Sequence, residues 1–236
     1  MLGDLLDFLR SRRRDRRRVR RRRRRALADA ELVRAYLAGH PVAKLQLGAS
    51  GNDLPGWLNS DLAPPSHEYV RLDASEPFPL PDGAFDYVFS EQMIEHLGWE
   101  AGRQMLAECR RVLKPGGTLR IATPDLARII SLYGPDRSPE CEVYLDRFVR
   151  RFLPDATAAD AVARALNLLF HGWGHQFLYD APALRGALLE AGFARVVACR
   201  PGESADPNLR GIERHGHIVG EELNDFETMV FEATHP

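Results

Sequence analysis

Short apolar runs that end in small or chain-breaking residues recur from residue 44 to residue 125, the pattern of buried parallel strands running into tight turns. Lys44–Leu47 stops abruptly at Gly48-Ala49-Ser50-Gly51, and a second run, Trp57–Asp61, ends in an acid. Tyr69–Leu72 leads into Asp73-Ala74, Phe85–Ser90 follows a Pro/Gly turn, and Thr118–Ala122 runs up to Pro124-Asp125. Helical spacing occupies the segments between and around these runs. Ala26–Ala38 is amphipathic and is stopped by Gly39 and Pro41, while Gln92–Leu113 reads as two helical pieces joined near Gly98. Lys114-Pro115-Gly116-Gly117 has the chemistry of a type II turn, with Pro second and Gly third. This alternation predicts an α/β fold with a doubly wound, mostly parallel sheet.

From Ser131 to Tyr179 the pattern changes. Glu142–Phe152 and Thr157–Leu169 are helical with no strand between them, which predicts a helical insertion after strand five, over about 131–179, covering the carboxyl edge of the sheet. A helix at Ala183–Ala191 closes with Gly192, and strands at Phe193–Cys199 and Phe226–Glu232 bring the expected total to seven. No internal repeat is visible. In such sheets a ligand lies outside the carboxyl ends of the strands, where the strand order reverses. The turn Gly48–Gly51 suits that place, because its small residues let backbone N–H groups come close to a ligand. Asp61 adds an acceptor at the next strand end.

Charge changes the picture at one end. Residues 1–25 hold thirteen arginines against three aspartates, a net +10, and the remainder holds nineteen basic against thirty acidic residues, a net −11. The chain therefore reads as an arginine-rich arm or basic helix, 1–25, attached to an acidic body, 26–236. The arm has three readings. It is a solvated or packing segment; or it docks on an anionic membrane surface, with Leu2, Leu5, Leu6 and Leu9 as an apolar hook; or it holds nucleic acid, though without aromatics for base stacking. No apolar run reaches the roughly 18 residues of a membrane span, and no secretory pattern is present. Cys109, Cys141 and Cys199 are widely spaced and form no CxxC, which argues against a disulfide framework or structural zinc. The expected location is the cytoplasm, with the inner membrane face as a peripheral site.

Four pieces stand in a fixed order: the loop LQLGASG, the acid Asp61, Asp73-Ala74 followed by PLPDGAFDYV, and EHL leading to LAECRRVLKPGGTLRIATPD. In that combination the chain resembles the class I S-adenosylmethionine-dependent methyltransferases, most strongly over residues 43–123. HGWGHQFLYDAPALRGALLEAGFARV is similar to the last third of that family. Within the family the likeness is to methyltransferases associated with bacterial glycan and cell-envelope synthesis. The resemblance implies a Rossmann-like fold and S-adenosylmethionine as cofactor, released as S-adenosylhomocysteine. It also implies roles. Gly48, Ala49, Ser50 and Gly51 would pass beneath the cofactor, Asp61 with neighbouring Leu62 would meet its ribose, and Asp73 with Ala74 its adenine. Ser90 and Glu91 would lie by its methionine end. Asp73 reads equally as a turn or capping aspartate, and Asp61 as a plain strand-end acid. The loop departs from the family pattern, since Ser50 and Asn52 stand where glycines are common. Only thirteen positions separate Gly48 from Asp61, so the usual crossover helix must be very short or replaced by a loop around Pro55.

The residues that could act on an acceptor are histidines. His175, His171 and His96 are the catalytic candidates; His96 also reads as a structural hydrogen bonder, and His171 and His175 as loop structure. No metal is expected, because no third ligand is evident beside the His171/His175 pair. His215 and His217 read as an exposed polar loop, and Trp173 and Phe177 as stacking platforms or core. Strand four lacks the Pro-Pro-aromatic ending of amino-group methylation and no Pro-Cys pair is present, so the expected acceptor is an oxygen of a small molecule, sugar or envelope precursor. The alternatives are an RNA methyltransferase that uses the arm, and a non-catalytic binding module.

Overall fold

The computed structural model describes residue 20, residues 23–134 and residues 136–236. Nearly all of the arginine arm, and with it the three readings of its partner, lies outside the described residues. Seven strands form one sheet in the order β3-β2-β1-β4-β5-β7-β6. They are β1 Lys44–Leu47, β2 Leu58–Asp61, β3 Val70–Arg71, β4 Phe85–Glu91, β5 Leu113–Pro124, β6 Arg195–Cys199 and β7 Thr228–Thr234. The first five pair in parallel, and β7 lies antiparallel to both β5 and β6. The strand order reverses between β1 and β4, as the expected α/β Rossmann-like fold requires. Gly116 has φ +79°, the conformation a type II turn demands of its third residue, and here the turn is built into the start of β5.

Period-2 alternation divides the sheet into two unlike faces. Leu45, Leu47, Val88, Leu119 and Ile121 point to the larger core, where they meet three helices. These are α1 (residues 23–39) through Val33 and Tyr36, α2 (Trp99–Val112) through Met105, Leu106 and Cys109, and α6 (Ala181–Glu190) through Leu184 and Leu188. Tyr36 ties α1 to the start of β1: its hydroxyl accepts from Lys44 N at 2.9 Å and lies 2.9 Å from the Lys44 and Gly56 carbonyls. Among the described residues, the opposite face carries no helix at its centre. Phe89 packs there on Leu54 and Trp57 from the β1–β2 crossover, which is a loop as expected, and on Leu209 and Ile212 from the segment after β6. This coil layer is pinned by polar contacts. Arg120, wholly buried on β5, donates to Glu213 at 2.5 Å and to Glu232 at 2.6 Å. Tyr87 Oη donates to Asp206 at 2.7 Å.

The helical insertion leaves and returns at one point. Asp125 bridges Tyr179, and Leu126 N donates to Tyr179 O at 2.8 Å. Between them run α3 (Leu126–Ile130), α4 (Pro139–Phe152) and α5 (Ala161–His171). They form a second apolar cluster around Tyr144, Phe148 and Leu169. Two further helices, α7 (His215–Val219) and α8 (Glu221–Glu227), replace the loop expected around His215 and His217, and Leu223 of α8 joins this second cluster. Cap and C-terminal helices together roof the carboxyl ends of β1 and β4.

Candidate active site

A cavity of about 400 Å³ opens at that switch point. One wall is the loop after β1, with Gly48, Ser50 and Asn52; the floor is the end of β4 and the turn beyond it, with Glu91, Gln92, Glu95 and His96. The roof comes from the cap, with Phe148, Phe152, Trp173 and His175, and from α7, with His215 and Ile218. A larger space of about 770 Å³ lies between α4, α8 and the segment Cys199–Glu203, but it contains none of the expected site residues. Backbone strain singles out the smaller one. Among the described residues Ser50, Gln92 and Trp173 are the non-glycine positions with positive φ, at 46°, 47° and 54°, and all three line this cavity. Left-handed backbone costs such residues on the order of 1 kcal/mol or more, and it persists where surroundings impose it.

The loop Gly48–Gly51 forms a tight hook. Gly48 has φ +63°, and a Cβ on it would come within 2.7 Å of Met93 Cγ, so only glycine fits. Ala49 is buried and its N–H donates to Ser60 O at 3.0 Å, carrying the β1–β2 pairing one step further. Asp61 stands where β2 ends, half-buried. Its Oδ2 accepts from Ser50 N at 3.0 Å and from Ser50 Oγ at 3.4 Å, and its Oδ1 from Ala63 N at 2.8 Å, so Oδ1 keeps a lone pair for a ligand hydroxyl. Leu62 beside it is exposed. Asp73 Oδ1 takes both donors of Ser75, at 3.1 Å and 2.6 Å, which is the turn geometry weighed for it in the sequence; Ala74 packs against the main core. Neither Asp61 nor Asp73 lines the 400 Å³ cavity; they lie along the outer rim from β1 to β3.

At the end of β4 the two residues expected by the methionine end of the cofactor differ in their access to the cavity. Ser90 is wholly buried, with its hydroxyl unpartnered, and does not reach the cavity. Glu91 does reach it, but its carboxylate is spent on backbone donors: Arg214 N at 2.9 and 3.0 Å and His215 N at 2.9 Å. It anchors the start of α7, and burial raises its carboxyl above the usual range. Glu95, unsuspected in the sequence, is wholly buried; Thr123 Oγ1 donates to its Oε2 at 2.9 Å and its Oε1 has no partner. Desolvation pushes its carboxyl up to about 7.

The three catalytic candidates separate. His96 and His175 meet edge to face, with ring centres 5.0 Å apart, whereas His171 ends α5, exposed, and does not line the cavity. Burial first, and then the neighbouring His175, lower the pKa of His96. His175 Nδ1 lies 2.7 Å from the Leu169 carbonyl, which fixes its proton there and leaves Nε2 as the open nitrogen. The tight turn Gly172-Trp173-Gly174 swings His175 inward and sets the indole edge to face with Phe152, with ring centres 5.4 Å apart. Phe177 belongs to the main core against Trp99. His215 lines the cavity with Nε2 3.4 Å from buried Glu227, while His217 is exposed, as the sequence reading had it.

A reversed strand order with a hooked loop and a roofed, mainly apolar cavity at the switch point is the arrangement in which open α/β sheets hold small ligands. Residues 53–121, from the first crossover through β5, match the family model described as Methyltransferase domain. The chain is 34% identical over 159 residues to a probable S-adenosylmethionine-dependent methyltransferase of Mycolicibacterium smegmatis, covering 61% of this chain and 56% of that protein. A protein of the same description from Mycobacterium tuberculosis is 34% identical over 140 residues, covering 58% of this chain and 47% of its own length. The chain spans about half the length of the curated relatives it matches. Among solved structures, an S-adenosylmethionine-dependent methyltransferase from Mesorhizobium loti overlays with a TM-score of 0.48 at 18% identity, over 85% of this chain and 95% of that one. Residues 53–121 of this sheet are thus similar to a methyltransferase domain, and the strand order is that of a Rossmann-like α/β fold. No helix among the described residues is long and apolar enough to cross a membrane.

Proposed function

We propose that the protein is an S-adenosylmethionine-dependent methyltransferase that modifies an oxygen of a small hydroxyl-bearing acceptor, a sugar or cell-envelope precursor. One observation carries this reading: the cavity joins the hooked loop after β1 to the His96–His175 pair, and every strained non-glycine residue among those described faces it. The cradle suits the cofactor. Gly48 leaves no room for a side chain where the loop bends, and Asp61 keeps acceptor capacity on Oδ1, with the long Ser50 Oγ contact on Oδ2 free to give way to a ribose hydroxyl. Bound S-adenosylmethionine supplies a methyl group already activated on a sulfonium, so the protein's task is chiefly to position the acceptor and relieve it of a proton. The open imidazole nitrogen of His175 and the ring of His96 line the space where the acceptor would sit, and the exposed indole of Trp173 offers a flat apolar surface of the kind that packs on a sugar ring.

Calorimetric titration with S-adenosylmethionine and S-adenosylhomocysteine tests the cofactor. Binding in the wild type that is lost in Asp61→Ala is expected; no binding of either compound refutes an enzyme and leaves a binding module. Among acceptors, transfer to RNA that depends on residues 1–25 would replace the sugar reading. We assign the arginine arm to an anionic membrane surface, where envelope precursors are found. Flotation with anionic and neutral vesicles checks it, and equal recovery from both defeats it.

A further inference from the structure

Two segments far apart in the chain are zipped together beside the cavity. Gln176 N donates to Glu95 O at 2.7 Å, and the Gln176 side-chain amide donates to His96 O at 2.7 Å. This pairing sets Glu95, His96 and His175 so that one potential ligating atom from each lies within 4.8 Å of the other two. Both ends of the set are aimed by a second contact. Thr123 holds one oxygen of Glu95 and leaves the other buried and unpartnered; Leu169 O holds Nδ1 of His175 and leaves Nε2 open. His215 and Glu227, the nearest other titratable pair, are occupied with each other at 3.4 Å, and Glu91 with backbone donors.

We propose that Glu95, His96 and His175 bind one divalent cation of the zinc type. Two imidazoles and a carboxylate are the donor set of catalytic zinc, and an imidazole whose second nitrogen donates to a carbonyl is the usual outer-shell arrangement. Ligand bonds of about 2.0–2.2 Å place tetrahedral ligands roughly 3.3–3.6 Å apart, so each side chain moves inward by less than about 1 Å. The unpartnered oxygen of Glu95, otherwise a buried acceptor with nothing to accept, gains the strongest partner available to it. The fourth coordination position faces the 400 Å³ cavity. Resting on the methyltransferase reading, that position takes the acceptor's hydroxyl oxygen and lowers its pKa, the proton passing to water at the cavity mouth.

The test is metal binding itself. The full chain is stripped with a chelator and titrated with cobalt(II), followed by its visible d–d absorption, and then with zinc(II) in competition. One ion per chain in a low-symmetry four- or five-coordinate spectrum is expected. Glu95→Gln and His175→Gln should each weaken binding by at least tenfold, and Thr123→Ala, which keeps all three ligands, by about 10–100-fold. The exposed His217→Gln should match wild type. Circular dichroism verifies folding, and Thr123→Ala with His175→Gln carry the result if Glu95→Gln does not fold. No stoichiometric binding in the wild type, or binding unchanged in the folded ligand variants, overturns the proposal. S-adenosylmethionine binding measured on the same samples separates the two readings: cofactor binding without metal binding refutes only the metal site, and metal binding without cofactor binding refutes only the methyltransferase.

Discussion

Replacing Arg120 with methionine tests what holds the coil layer on the second face of the sheet. The guanidinium is wholly buried and four acceptors converge on it: Glu213 at 2.5 Å, Glu232 at 2.6 Å, Glu203 O at 3.0 Å and Arg200 O at 3.3 Å. Methionine fills a similar volume and satisfies none of them. Breaking a buried pair by removing one partner costs about 3–5 kcal/mol, because the charge left behind has neither water nor a counter-ion. The Glu213 side chain is 5% exposed and takes the full effect, whereas Glu232 at 16% reaches some water and softens it. The lower half of the range follows, about 3–4 kcal/mol in a urea titration, or roughly 6–16 °C in midpoint temperature for a domain of this size. The apolar contacts on this face cannot absorb such a loss, since Leu54, Trp57, Phe89, Leu209 and Ile212 are its buried apolar members. Adding Glu213→Gln and Glu232→Gln to the variant should restore part of the stability, because it removes the stranded charges. The cavity should respond too, as Glu213 is followed directly by the Arg214 and His215 amides that hold Glu91. A loss below about 1 kcal/mol with an unchanged urea slope would refute the reasoning and assign the layer to apolar packing.

Three further perturbations probe separate parts of the molecule. Asp61→Ala should abolish detectable S-adenosylmethionine binding while shifting stability by under about 1 kcal/mol, since the half-exposed site lets water satisfy the Ser50 amide; retained affinity in calorimetry would remove Asp61 from the cofactor site. Gly48→Ala combines a φ of +63° with a Cβ only 2.7 Å from Met93 Cγ. About 1–3 kcal/mol of destabilisation and a loss of cofactor affinity should follow, and a crystal structure with the loop unmoved would contradict the close fit. Glu108 accepts from Arg111 at 2.6 and 2.8 Å and from Phe78 N at 2.6 Å, and the Arg111 bond foremost holds its carboxyl below the ordinary 4.5. A depressed folded value means its contribution is present above pH 4.5 and disappears as pH falls through that folded value. Glu108→Gln should therefore flatten the acid limb of the stability curve, and coincident acid midpoints for variant and wild type would exclude this clamp.

The sheet was legible because each strand carries its own evidence. Leu45, Leu47, Val88, Leu119 and Ile121 are apolar at period 2, and small or acidic residues mark where each strand stops. The loop Gly48–Gly51 could be placed for the same reason: its chemistry is local. What escaped depends on distant segments. The helices α7 and α8 carry a polar sequence, HGHIVGEELNDFE, with no long apolar stripe, and they form where Glu91, some 120 residues earlier, accepts the amides of Arg214 and His215. Glu95 was passed over because a charged residue on a short segment ordinarily reads as solvated. The cap, folding back through Gln176, pairs with its backbone, and β5 meets its carboxylate through Thr123, so it is closed from water. The separation of His171 from His175 follows from the same backbone, since Trp173 takes left-handed φ between two glycines and turns one imidazole inward while leaving the other outside. A Glu-His pair just after strand four and a histidine beyond a Gly-Trp-Gly turn are signals open to a sequence reader, but their meaning depends on proximity. The strained backbones of Ser50, Gln92 and Trp173 belong to three segments far apart in the chain and converge on one cavity. Relaxing any of them would move a cavity wall, so the arrangement points to stability given up for a fixed geometry where the ligands meet.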